Sequence, residues 1–323
     1  MIQQTQPAFK SGFQLVRRLK CFLIKACLVT WSSWFGVTHG GPIAVPNASF
    51  ESPATFFVTL NIESWQRTPQ WAGWDENASG PWTNLTGIFN NDPPGSAVHI
   101  DNCDGDQAVW LFADPEVGLF QDYDSVDWDD LSPSHAFDVK FETGKSYQLT
   151  VGVIGGGYNM LPETPLEASL YYRDATSNKV IVAATTITYS SAYFSNRTQF
   201  VDFTVATSVV RADDPWSGQN IGIQVLSTVS SNLAGGYWDL DHVRLSSILA
   251  PTLLNPIRTN GQFQFTLQGE PGQEVEILAS TNASLPAANW ISLGTVTNTT
   301  GNVPFIDTSA NFDQRFYQAR QLP

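Results

Sequence analysis

Residues 137–155 read FDVKFETGKSYQLTVGVIG. Tyr147, Leu149, Val151 and Val153 occupy every second position, and Phe137, Val139 and Phe141 do the same ahead of Gly144. A period of two sends alternate side chains to one face, which is the pattern of a half-buried strand. Runs of the same kind lie on both sides: AVWLF (108–112), EASLYYRD (167–174), KVIVAATTITY (179–189), TQFVDFTVAT (198–207), QNIGIQVLS (219–227) and YWDLDHVRL (237–245). Gly, Pro, Asn and Asp separate them, at roughly the 8–12-residue spacing of a sandwich or jelly roll. No long segment carries a capped 3.6-residue period, so a parallel α/β sheet is excluded. The reading is all-β: a jelly-roll β-sandwich over residues 41–246.

A second β-rich stretch follows. Ser247 to Pro251 reads SILAP, and a linker is expected over residues 247–255. Residues 256–323 alternate again, in Phe263-Phe265-Leu267 and Val275-Ile277, with the turn Gly269-Glu270-Pro271-Gly272 between. They predict a second, smaller β-sandwich, near the lower size limit for independent folding.

The first 40 residues differ from the rest. They hold Lys10, Arg17, Arg18, Lys20 and Lys25 with no acid, then the apolar stretch Cys21–Val37 and the small residues around Gly40. A basic start, a short apolar centre and small residues at the end describe a secretory signal peptide over residues 1–40. The expected location is secreted, extracellular or at the cell surface. With those five basic residues removed, eleven face 30 acids, a net charge of about −19. Such a surface repels phosphate backbones and disfavours nucleic acid. Cys103 would then be the only cysteine, so no intrachain disulfide forms.

An ordered set of motifs resembles the galactose-binding-like jelly roll of carbohydrate-binding modules. It runs from Pro46-Asn47-Ala48-Ser49-Phe50-Glu51 through Gly105–Leu111, Gly118–Gln121 and Gly144–Thr150 to Asp241-His242-Val243-Arg244-Leu245. The smaller unit is similar to fibronectin-type-III-like C-terminal modules of secreted bacterial proteins, through ASTNASLPAANWISLGT and RFYQAR. The first resemblance implies a structural calcium where the opening and closing strands meet, with Glu51 and Asp241 as ligands. Asp239 lies two residues from Asp241, on the same face if the strand is regular, and is a further metal candidate. That regular spacing would also put both carboxylates on the side of Val243 and Leu245.

Catalysis finds little support in the sequence. A glycosidase needs two carboxylates across a scissile bond, and the Glu-x-Asp-x-x-Glu pattern of jelly-roll glycosidases is absent. His39, His99, His135 and His242 form no triad or metal spacing. DNCDGDQAVW fails as an EF-hand, because Ile100 falls at the first position and Leu111 at the twelfth. The acidic run DYDSVDWDD (122–130) reads as a solvated loop, with a second, weak cation site as the alternative.

The tryptophans are more informative. Trp65, Trp71, Trp74 and Trp82 fall within 18 residues of a Gly/Pro/Asn-rich stretch. Flat indoles stack on sugar rings, Asp75 would take a hydroxyl, and Tyr158 follows three glycines in another loop. The same indoles could instead fold the loop onto the sandwich. The expectation is a secreted, non-catalytic protein that binds a polysaccharide or other glycan through these residues. A cell-surface structural or adhesion protein, or a glycan hydrolase, is the alternative.

Overall fold

The computed structural model describes residues 40–126, 132–309 and 312–322. The segment read as a signal peptide lies outside the described residues up to position 39, as does part of the acidic run (127–130). Among the described residues no helix is long and apolar enough to cross a membrane.

The chain is all-β. The first unit holds β1 (Gly41–Ile43), β2 (Val58–Thr59), β3 (Gln66–Arg67), β4 (Thr86–Asn90), β5 (Gln107–Phe112), β6 (Gly118–Gln121), β7 (Lys145–Gly157), β8 (Pro165–Arg173), β9 (Lys179–Thr188), β10 (Val201–Ala206), β11 (Gly222–Ser227) and β12 (Tyr237–Leu249). They form two antiparallel sheets. One runs β10-β7-β12-β5-β4-β2, with β1 added on β12, and the other runs β3-β6-β11-β8-β9. β1 pairs with Leu245–Ser247 of β12, beyond the stretch Tyr237–Leu240 that β5 occupies. The start of the unit is thereby stitched to its last strand.

The alternation of β7 appears as written in the sequence. Tyr147, Leu149, Val151 and Val153 are buried between the sheets with Leu166, Ala168, Leu170, Ile223, Val225, Trp238 and Leu240. Phe137 and Phe141 join the same core from outside any strand. That segment bridges Lys140 to Asn220 and exchanges backbone hydrogen bonds between Val139 or Phe141 and residues 218–221, and β7 begins at Lys145.

The strand that closes the unit departs from regular alternation. Trp238 and Leu240 face the core, and so do Val243 and Leu245. A strand of strict period two cannot do both. His242 adopts φ 57°, and the pairing with β7 shifts between Asp241 and Arg244, so a β-bulge changes the phase. Asp239 and Asp241 therefore lie on the face opposite Trp238 and Leu240, away from the inter-sheet core. The expectation that they share a side with Val243 and Leu245 is corrected by this bulge.

The region read as a linker is mostly strand. β12 continues to Leu249, β13 (Thr252–Thr259) begins three residues later, and only Ala250 and Pro251 intervene. The second unit adds β14 (Gln262–Gln268), β15 (Glu274–Ser280), β16 (Ile291–Thr297), β17 (Asn302–Asp307) and β18 (Phe316–Gln321). Its sheets, β13-β14-β17 and β16-β15-β18, enclose Phe265, Leu267, Val275 and Ile277. Glu270 accepts the amide N–H of Leu249 at 2.8 Å and that of Gly40, joining the small unit to the ends of the large one.

Candidate functional site

The outward face of the seven-stranded sheet carries an aromatic floor. Trp110 of β5 lies directly across from Asp239 of β12 on one side and from Gly87 of β4 on the other. Gly87 permits this arrangement, because a Cβ there would sit 2.3 Å from the Trp110 ring and 2.7 Å from the Thr59 carbonyl oxygen. The Trp110 indole donates to the Asn84 carbonyl at 3.2 Å. Phe112 and Tyr237, also cross-strand partners, have ring centroids 6.0 Å apart. Phe89, from β4, continues the surface. Loop residues Ala97, Val98 and Ile100, polar Asn90, Asn91 and Asp92, Arg197 and Thr198, and Phe57 and Val58 at the start of edge strand β2 complete the lining. Together they bound a cavity of about 910 Å³. That is the size of a small-molecule site, mostly apolar with few polar groups.

Asp239 is the exceptional member of this wall. It is 9% exposed and stands between Trp110 and Ile154 in the sheet register. No described residue donates a hydrogen bond to its carboxyl group. Burial pushes its pKa up to about 7, against the opposing pull of Arg197. The physical cause is plain: a carboxylate loses its hydration here and gains no donor in return, so the neutral acid is favoured. A carboxyl group that holds a proton near neutral pH and faces an apolar cavity is equipped to give that proton away.

The predicted calcium ligands divide. Glu51 and Asp241 do converge, on the turn 104–107. Glu51 Oε1 accepts the amide N–H groups of Asp106 at 3.0 Å and Gln107 at 2.8 Å, and Asp241 Oδ2 accepts that of Asp104 at 2.7 Å. Gly105, at φ 98°, leaves open the space that the Glu51 carboxyl fills. The donors around the pair are amide N–H groups and the half-buried Cys103 thiol, which bonds the Gln107 carbonyl at 3.1 Å. Among the described residues no three acidic, His or Cys side chains gather as a metal site. Calcium takes about six to eight oxygen ligands, and here Glu51 Oε1 and Asp241 Oδ2 are already used by amide N–H groups. Asp239 does not join the pair, because it faces the aromatic cavity instead. Burial holds the Asp241 carboxyl near 7 as well, with its Oδ1 buried and unpartnered.

The Glu51–Asp241 clasp makes a stability prediction. Asp241→Ala strands the Asp104 amide and should lower unfolding free energy by about 1–3 kcal/mol. Asp241→Asn keeps an acceptor in place and should lose less. Urea unfolding of both variants checks this, and equal stability of all three proteins would remove the clasp from the account.

Two of the four tryptophans expected to form a sugar platform, Trp65 and Trp82, are core residues. Trp65 is 3% and Trp82 is 6% exposed. Their indole N–H groups donate to the carbonyls of Asn47 and Thr68, both at 3.0 Å. Trp74 meets Trp82 edge-on at 5.6 Å and donates to the Gly80 carbonyl at 2.9 Å, while Trp71 packs half-buried against the same core. Trp65 and Trp82, with buried faces and bonded N–H groups, have nothing left for a sugar ring, whereas Trp71 and Trp74 stay half-buried. Asp75 caps the short helix α1 (Glu76–Ser79), accepting from the Asn77 amide. Tyr158 is 75% exposed just after β7 and does not line the cavity. Of the acidic loop, Asp124 is exposed as expected, but Asp122 is buried, 2.8 Å from Arg173, and accepts from the Tyr171 hydroxyl at 2.5 Å.

The HpiC1-like family, described as HpiC1 cyclase, matches residues 41–246. No curated protein matches the chain. Among solved structures, the Stig cyclase Fisc from Fischerella sp. TAU, in complex with (3Z)-3-(1-methyl-2-pyrrolidinylidene)-3H-indole, is 21% identical. That match covers 65% of this chain and 99% of the other, with a TM-score of 0.45. An apo cyclase from Fischerella sp. is 20% identical over 66% of this chain and 98% of its own, at 0.47. The CBM22-1 xylan-binding domain from Paenibacillus barcinonensis Xyn10C is 11% identical over 58% and 87%, at 0.31. Structural likenesses of this size carry no argument about function.

Proposed function

The chain belongs to the HpiC1-like family, and from that membership we propose that its first unit is an acid-initiated cyclase acting on an apolar small molecule. The observation that carries this reading is Asp239, a buried carboxyl without a hydrogen-bond donor, set in the floor of an aromatic cavity. The family's description as a cyclase supports the choice of reaction.

The chemistry needs no oxidant or cofactor. Asp239 transfers its proton to a carbon–carbon π bond of the bound molecule, and the electron pair of that bond forms the new C–H bond. The adjacent carbon becomes cationic. A second π bond of the same molecule attacks it and closes a ring, and loss of a proton, returned to the Asp239 carboxylate, restores neutrality. Substrate and product are isomers. Trp110, Phe89, Phe112 and Tyr237 present ring surfaces in the same cavity. An aromatic face attracts a nearby cation by about 0.5–2 kcal/mol, more when water is excluded, so these walls favour the charged intermediate over the neutral substrate. This reading differs from the expected non-catalytic glycan binder, two of whose tryptophans, Trp65 and Trp82, are buried in the core.

Two assays test the proposal. The neutral dye N-phenylnaphthylamine should bind the protein and brighten, and Trp110→Ala should weaken it by roughly 3- to 10-fold, the scale of one aromatic contact. An apolar aryl vinyl ether, whose hydrolysis begins with proton transfer to carbon, should hydrolyse faster with the protein than in buffer, and the dye should suppress the excess rate. A rate equal to that of buffer, with the dye bound, would reject the proton-donor role.

A further inference from the structure

Arg197 lines the same cavity and is not committed to any other group. It makes no hydrogen bond or ion pair with a described residue. The other arginines that face carboxylates are engaged: Arg173 with Asp122, Arg244 with Asp202, Arg315 with Asp307 and Arg320 with Glu276.

Its backbone is fixed in place. Asn196 Oδ1 accepts from both the amide and the hydroxyl of Thr198, each at 2.9 Å, and the Thr198 carbonyl accepts from the Asp101 amide at 2.8 Å. Arg197 therefore rides on a pinned turn at the cavity rim. Neither carboxyl group of the cavity claims it. Asp92 accepts from the Ser96 hydroxyl at 2.7 Å, and Asp239 feels Arg197 only as an opposing charge, without an ion pair.

We infer that the molecule taken by this cavity carries an anionic group, a carboxylate or sulfonate, on its apolar aromatic body, and that Arg197 is the residue that selects it. The inference rests on reading the cavity as a ligand site. A guanidinium presents a fork of N–H donors that matches a planar or tetrahedral oxyanion. Arg197 is exposed at the rim, so solvent screens part of that pairing and added salt weakens it. The apolar floor holds the body of the molecule, and the arginine fixes which end points outward and so which π bond lies over Asp239.

A matched pair of dyes tests this. Anilinonaphthalene sulfonate and N-phenylnaphthylamine share one aromatic body, and only the first has the anion. Both are titrated into the full chain, its Arg197→Gln variant and its Trp110→Ala variant, with circular dichroism to confirm folding. The sulfonate dye should bind the Arg197→Gln variant roughly 2- to 5-fold more weakly than the parent, the scale of an exposed ion pair, while the neutral dye binds both alike. Added salt should weaken the sulfonate dye in the parent and have little effect in the variant. Equal sulfonate binding by parent and Arg197→Gln would overturn the inference while leaving the cavity reading intact. Neutral-dye binding that is absent, or unmoved by Trp110→Ala, would overturn the cavity reading and this inference with it.

Discussion

Replacing Asp239 with Asn should reduce the protein's acceleration of vinyl ether hydrolysis by about 100- to 10,000-fold, the range of a positioned general acid. Asn has the same shape and no acidic proton. The cavity should survive the change, because Asp239 makes no hydrogen bond whose loss would disturb its neighbours. N-phenylnaphthylamine should thus bind the variant as it binds the parent. The pH profile carries a sign. The acid form is the active one and burial places its pKa near 7, so the excess rate should be full in mildly acid solution and fall as pH rises through about 7. A rate in Asp239→Asn equal to the parent's, or a parent rate that climbs through the same pH range, would reject Asp239 as the donor.

One position earlier the expected effect falls on stability. Trp238 is completely buried and meets Tyr189 and Phe194 edge-on, with ring centroids 6.4 and 5.8 Å away. Trp238→Ala removes the largest fully buried side chain of the core. The loss should be about 3–5 kcal/mol, the usual cost of deleting a buried Trp or Phe. Trp238→Phe keeps part of the volume and should lose less, a comparison that chemical denaturation resolves. A loss below about 1 kcal/mol for Trp238→Ala would mean the core can collapse around the hole, contrary to its packing here. The two neighbours thus divide the strand's duties: Trp238 holds the sheets together, and Asp239 faces the cavity on the other side.

That division explains how far the sequence could be read. The period of two in Tyr147–Val153 was enough to establish an all-β sandwich, because burial on one face forces alternation. Glu51 and Asp241 were recognisable as partners across nearly the whole unit, although the groups that hold them are the amides of Asp104, Asp106 and Gln107. The bulge at His242 was not legible, since a non-glycine residue at positive φ leaves no compositional mark. Without it, regular alternation puts Asp239 on the face of Val243 and Leu245, away from the cavity. The site also draws on cross-strand neighbours. Trp110 and Asp239 are 129 positions apart and meet only through the pairing of β5 with β12. Gly87 reads as a turn residue in isolation, but it makes room for an indole. The tryptophan cluster misled for a related reason: spacing in a loop records that aromatics are near one another, and burial decides whether their faces are free. A search for two carboxylates flanking a bond passes over a single acid made reactive by its surroundings.

The carboxyl carbon of Asp239 offers the most direct measurement. With aspartate labelled at that carbon, and the Asp239 signal assigned by its absence from Asp239→Asn, its chemical shift can be followed against pH in the folded protein. A proton-donating acid at the cavity floor predicts a midpoint near 7. A midpoint in the ordinary carboxylate range, about 4, would show that the group is ionised at neutral pH and would contradict the account.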